Sequence, residues 1–261
     1  MRICFLLHFY QPHNQQKDIL DRIVHESYLP LTRGLLEDEN YKVVININAA
    51  LIDLLQEQGH EEVLDNMKVL YDRGQVEFTS SAKYHAFLPL LHEDEIKRQL
   101  LINRETSKEH FGEDFHAEGF FPPEMSVNQH VLNTIAEMDY KWSCAAELAK
   151  DGGPSRKVLY RDKESGLYMF FRAKRVSSVI LAAVCRSAED LIKETQDIHD
   201  DEYWFCVMDA ETFGHHRVGH EKLLFDILGH EFFQPVLVKD LIESNLPVEE
   251  TAIRPSTWTN E

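Results

Sequence analysis

Short β-rich runs alternate with amphipathic stretches along this 261-residue chain. That alternation confines it to βα units arranged around a parallel sheet. The runs predict strands over 3–7, 42–47, 76–80, 117–121, 141–143, 168–172, 204–208 and 235–239. Between them the spacing predicts helices over 17–37, 50–73 (broken near Gly59), 93–110, 128–138, 188–198 and 221–229. Glu93, Asp94 and Glu95 crowd the start of one helix, while Gly74 and Gly229 follow the ends of two others, as caps should. Seven or eight such units approach the size of a (β/α) barrel, about 250 residues. Residues 151–155 read as a loop and 157–172 as a hairpin excursion. One barrel domain over 1–245 is expected, with 246–261 as a tail that is either docked on the body or the start of further structure.

The charge balance narrows the partners. Forty-five acidic residues against 27 basic ones leave a formal net charge of −18. Such a field repels nucleic acid and anionic membranes but is indifferent to a neutral sugar. No apolar stretch has the length of a membrane span, and the first residues read as a strand rather than a secretory leader. A cytoplasmic location is therefore expected. Cys4, Cys144, Cys185 and Cys206 form no C-x-x-C pair and read as small buried hydrophobes.

Four β-rich runs end in ionisable side chains. The first continues into His8-Phe9-Tyr10-Gln11-Pro12-His13. The second carries Gly74, Glu77 and His85, running on to Leu88-Pro89-Leu90. The third ends Phe121-Pro122-Pro123-Glu124. The fourth, Phe205 to Met208, opens into Asp209-Ala210-Glu211-Thr212-Phe213-Gly214-His215-His216. In a parallel barrel all strand exits converge on one face. His8, Glu77, His85, Glu124, Asp209 and His215 are thus expected to share a pocket, and convergent carboxylates at such a mouth suit glycoside chemistry.

Taken in order, these segments resemble the conserved regions of glycoside hydrolase family 57, which includes α-amylases, amylopullulanases, 4-α-glucanotransferases and branching enzymes. His8, Gln11 and Pro12 match its first region, and Gly74, Glu77, His85, Pro89 and Leu90 its second. Pro123-Glu124 matches the third; Asp209, Glu211, Phe213, Gly214 and His215 match the fourth. The resemblance implies a distorted (β/α)7-type barrel of parallel strands whose C-terminal helical region is short or missing. It implies Glu124 as nucleophile and Asp209 as general acid/base of a retaining enzyme on an α-glucan or maltooligosaccharide, with no cofactor or metal. His8, Gln11, Glu77, His85, Glu211, His215, His216 and Trp258 are the expected sugar contacts or orienting groups. The chain departs from the family where Phe121-Pro122 replaces Trp-Leu before Pro-Glu, and where Arg254 to Thr259 opens a fifth region that goes no further.

Two other readings stay open at this stage. His216 and His220 stand at i, i+4 and with Asp209 offer a metal site of the polysaccharide-deacetylase kind, although no Thr-Phe-Asp-Asp-Gly segment accompanies them. A non-catalytic glucan-binding barrel is the other. His25, His60, His110, His199 and His230 are assigned no role, and Trp142 and Trp204 read as core.

Overall fold

The computed structural model describes residues 1–198 and 203–260; His199 lies outside them. In chain order the elements are β1 (Arg2–Phe9), α1 (Lys17–Ile23), a π-helical turn (Val24–Tyr28), α2 (Leu29–Leu35), β2 (Val43–Ile47), α3 (Ala49–Glu57), α4 (Glu61–Asp72) and β3 (Val76–Ser80). There follow α5 (Glu93–Phe111), β4 (Gly119–Phe120), α6 (Gln129–Glu137), β5 (Trp142–Ala145), β6 (Leu159–Asp162), β7 (Tyr168–Phe171), α7 (Lys174–Leu181) and α8 (Ala188–Glu194). The last are β8 (Tyr203–Asp209), α9 (His220–Gly229), β9 (Gln234–Pro235), α10 (Val238–Ile242) and β10 (Val248–Thr251).

Strands β8, β1, β2, β3, β4, β5 and β7 lie side by side, each parallel to the next. They make the expected seven-strand curled barrel. No ladder joins β7 to β8. Instead Ala173 donates its N–H to the Phe205 carbonyl (2.7 Å), and Arg172 donates Nε–H to the Val207 carbonyl (2.9 Å). The expected hairpin is β6 antiparallel to β7.

Side-chain alternation along β1 builds two cores at once. Ile3, Phe5, Leu7 and Phe9 pack outward with Leu20, Leu31, Leu51 and Leu224 of the helical layer. Cys4 and Leu6 point into the barrel with Trp142, Phe170, Phe205 and Val207. Full burial of each large apolar side chain is worth roughly 1.5–3 kcal/mol, so this two-sided packing fixes the register, and the register fixes the site. Gly119 is required here, because an added Cβ would lie 2.2 Å from the Trp142 indole. Trp142 and Trp204 are buried, as are all four cysteines.

The sequence expectations differ in four places. The strand expected over 117–121 is only the two-residue β4. Residues 235–239 form only the two-residue β9 before the chain turns into α10. That helix starts because the Asp240 carboxylate accepts the Leu237 N–H (3.0 Å) and Glu77 accepts the Lys239 N–H (2.9 Å), satisfying donors that a strand would have spent on a ladder. Helix α7 was not anticipated. Nor was β10, whose Val-Glu-Glu-Thr sequence lacks apolar alternation yet pairs parallel with β6. Among the described residues, no helix is long and apolar enough to cross a membrane.

Candidate active site

The inward positions change character at the C-terminal ends of the strands. Register pairs Asp209 with His8, His8 with Asn46, and Asn46 with Thr79, so four strands in a row present a polar layer above the apolar one. His8 Nδ1 meets Asn46 Oδ1 at 2.6 Å, and Asn46 Nδ2 donates to Thr79 Oγ1 at 2.8 Å. Because the Asn46 amide group is committed to Thr79, its oxygen accepts, and His8 must carry its proton on Nδ1. Its Nε2 is then a bare acceptor for His85 Nε2–H, 3.2 Å away. Burial holds both imidazoles neutral. The His8 pKa falls to about 4, and that of His85 to about 3, with His8 contributing to the latter.

Glu124 sits in a tight turn after β4. Its φ is +58° and that of Met125 +46°, left-handed values that side chains other than glycine adopt only when their surroundings impose them. Pro122 and Pro123 stiffen the approach, and Met125 N–H closes the turn on the Pro122 carbonyl at 2.8 Å. The tail completes the clamp. Val127 and Ser256 exchange backbone bonds of 2.9 and 3.1 Å. Thr257 Oγ1 donates to the Glu124 carbonyl (2.8 Å), and Trp258 Nε1 donates to Glu124 Oε2 (2.9 Å). His85 is also left-handed, at φ +54°. Among the described residues, three of the five non-glycine positions with positive φ thus lie at this cleft or next to it.

Asp209 ends β8 facing that cleft. Burial raises its pKa above the usual carboxylate range, the Glu124 charge adds to the rise, and His216 and Arg172 oppose it. Two residues on, Glu211 accepts a bond from Gln11 Nε2 (2.7 Å) and a short one from the Tyr28 hydroxyl. Tyr28 reaches it from the π-helical turn, whose wider winding re-aims the side chain toward β8. Burial lifts the Glu211 pKa to about 7 despite these donors, with Asp209 adding to the rise.

The cleft, about 310 Å³, is lined by His8, Tyr10, Gln11, His85, Glu124, Asp209, Glu211, His216 and Trp258. Eight expected residues therefore meet there. Tyr10, stacked 4.0 Å from the His85 ring, was missed although its neighbours were named. Asn46 was missed too; a lone amide inside the apolar run Val43–Ile47 was the available signal.

Two expected residues are placed elsewhere. Glu77 faces the barrel interior but pairs in register with Val44, one inward layer below Asn46. There it accepts the Trp142 Nε1–H (2.9 Å) and caps α10 through Lys239. His215 leaves the cleft because Gly214 turns the chain at φ +116°, pressed so close to the π turn that a Cβ would meet the Glu26 carbonyl oxygen. Its Nδ1 lies 2.6 Å from Glu26 Oε2. The metal alternative fares similarly. His220 is buried on the Ile180 carbonyl (2.8 Å), away from Asp209, and among the described residues no three His, Cys, Asp or Glu side chains are grouped to hold a metal ion.

The buried Glu77 makes a prediction about stability. Burial raises its pKa from 4.5 to about 7. Between those values the folded chain keeps a proton that the unfolded chain releases, so stability present below about pH 4.5 is lost as pH rises through 7. Urea unfolding of Glu77→Gln and the parent at pH 5 and pH 8 should show the difference between them shifting by roughly 2 kcal/mol in the variant's favour at pH 8. A pH-independent difference would contradict this placement.

A family model described as Glycosyl hydrolase family 57 matches residues 6–247. Among curated proteins, Alpha-amylase 1 of Dictyoglomus thermophilum is 24% identical over 131 residues, covering 50% of this chain and 19% of that one. The alpha-amylase of Pyrococcus furiosus is 27% identical over 138 residues, 52% of this chain and 21% of its own length. Among solved structures, the 4-alpha-glucanotransferase from Thermococcus litoralis superposes at TM-score 0.85 with 16% identity, over 99% of this chain and 42% of that one. A branching enzyme from Thermococcus kodakaraensis superposes at 0.79 with 16% identity, over 98% and 73%. The match to the curated relatives thus spans about a fifth of their length.

Proposed function

The chain belongs to glycosyl hydrolase family 57, and on that premise we propose that its cleft breaks and remakes α-glucosidic bonds of a glucan with retention. Glu124 is the nucleophile and Asp209 the general acid/base. The observation that carries this reading is the pairing of two unlike carboxyl groups on one cleft. Glu124 is held rigidly by its turn and by Trp258, as in-line attack requires. Asp209 has its proton stabilised by burial and by the Glu124 charge, as a proton donor requires.

In the first step Glu124 bonds to the anomeric carbon while Asp209 passes its proton to the departing glycosidic oxygen. In the second, Asp209 takes a proton from water or a sugar hydroxyl, that oxygen bonds to the anomeric carbon, and the Glu124 ester breaks. The neutral imidazoles of His8 and His85, the Gln11 amide, and Glu211, His216 and Trp258 serve as sugar contacts or hold those contacts in place. Residues 1–245 act as the catalytic barrel, and the docked tail supplies part of the cleft wall. The names of the relatives, amylase and glucanotransferase, support an α-glucan substrate.

Incubation with maltooligosaccharides of single defined lengths tests the reading. Hydrolysis yields only shorter chains; transfer yields shorter and longer ones together. Unchanged substrate at every length would contradict it.

A further inference from the structure

No residue of the π-helical turn Val24–Tyr28 lines the cleft, yet three of them in a row hold the segment that follows Asp209. Ser27 Oγ donates to the Ala210 carbonyl (2.9 Å). The Tyr28 hydroxyl donates its short bond to Glu211 Oε1. Glu26 takes Gly214 against its carbonyl oxygen and holds His215 Nδ1 with its carboxylate, 2.6 Å away. We propose that this turn is a positioning element for the acid/base, with Ser27 and Tyr28 as the residues that place Asp209 through the loop 210–215. The inference rests on the retaining reading above and adds to it residues that touch no sugar.

The sequence prepares the turn. Pro30 has no N–H to give to the Glu26 carbonyl four residues back, which leaves a gap in the α-helical ladder between α1 and α2. The chain takes up the wider π winding there, and the Leu29 N–H bonds back five residues to the Val24 carbonyl. Ser27 and Tyr28 are both fully buried. A buried hydroxyl is costly unless it is bonded, and each of these finds its acceptor on residue 210 or 211. A turn that only packed the helix on the barrel would need no hydroxyl at either position.

The segment held in this way has lost its sheet partner. The ladder between β1 and β8 stops at the pair His8 and Asp209, and beyond it the bonds from the turn, with that from Gln11, tie the chain to other elements. Both side-chain donors to Glu211 reach the same oxygen, Oε1. Gln15 Nε2 donates to the Gln11 carbonyl oxygen (2.7 Å), which commits the Gln11 amide group to Glu211. Misplacing a reacting group by about 1 Å can cost about 10²-fold in rate, so residues outside the cleft can govern the step that Asp209 performs.

The test compares Tyr28→Phe and Ser27→Ala with the parent in single turnovers of maltoheptaose and of α-maltosyl fluoride, with the enzyme in excess. Tyr28→Phe keeps the ring that packs 4.9 Å from Phe9 and loses only the hydroxyl. Cleaving maltoheptaose needs a proton from Asp209, whereas fluoride leaves without one. A misplaced acid therefore slows the first and spares the second. Tyr28→Phe should lose about tenfold in the maximal rate on maltoheptaose, while the concentration giving half that rate and the rate of fluoride release each stay within about twofold of the parent. Ser27→Ala should fall between the two, and it decides the matter if the phenylalanine variant does not fold. An unchanged maltoheptaose rate in every variant that folds overturns the proposal. So does an equal loss on both substrates, the mark of a general loosening, or a weaker half-saturation with the maximal rate intact, the mark of lost sugar binding alone. No fluoride release by the parent would instead sink the retaining reading itself.

Discussion

Glu124→Gln should lower turnover of an α-glucan by at least about 10³-fold. The substitution removes the only charge on the side chain while keeping its shape. An amide oxygen can still accept the Trp258 Nε1–H, so the bond that steadies the turn survives. The left-handed backbone at residues 124 and 125 is held by the neighbouring prolines and by the tail, none of which the change touches. Circular dichroism and the melting temperature should therefore stay close to the parent while initial rates collapse. A variant that keeps a tenth or more of the parent rate would show that another group attacks the sugar.

Asp209→Asn should cost about 10²–10⁴-fold on a glucan, whose leaving alkoxide needs a proton. With α-maltosyl fluoride the first step needs no such help, so the glycosyl-enzyme should form at a rate closer to that of the parent and then accumulate, because its breakdown still needs a base. A fluoride burst followed by a slow steady rate is the expected trace. The parent should also lose rate as pH rises and Asp209 ionises, at a pH above the usual carboxylate range, because burial and the Glu124 charge hold its proton on. A fluoride trace without a burst, its first turnover slowed as much as that of the glucan, would remove Asp209 from the acid/base role and return it to a structural one.

The barrel was legible in the sequence because buried parallel strands are written as continuous apolar runs, and the points where Leu7, Phe121 and Met208 give way to ionisable residues mark the strand exits. Four of the six residues expected on that basis, His8, His85, Glu124 and Asp209, line the cleft, and the family resemblance supplied Gln11, Glu211, His216 and Trp258. The failures have local causes. Glu77 and Thr79 both face inward on β3, and only the register against Val44 and Asn46 decides which of them reaches the mouth. His215 and His216 differ by one position beyond Gly214, so the turn at that glycine, packed on the Glu26 carbonyl, selects His216. Tyr28 could not be read as a partner of Glu211, since its aim depends on a π-helical turn 183 residues away in sequence. Arg172 was visible only as the end of a strand. Its place beside Asp209 follows from the seam between β7 and β8, where side chain and backbone bonds stand in for a ladder.

The central claim is that Glu124 bonds covalently to the sugar. Incubation with 5-fluoro-α-glucosyl fluoride, which forms the intermediate quickly and releases it slowly, followed by proteolysis and mass spectrometry of the peptides, reads that bond directly. The account predicts one added glycosyl group per chain, on the peptide carrying Pro122-Pro123-Glu124-Met125 and absent from Glu124→Gln. A label on Asp209 or Glu211, or turnover of this compound without any label, would contradict it.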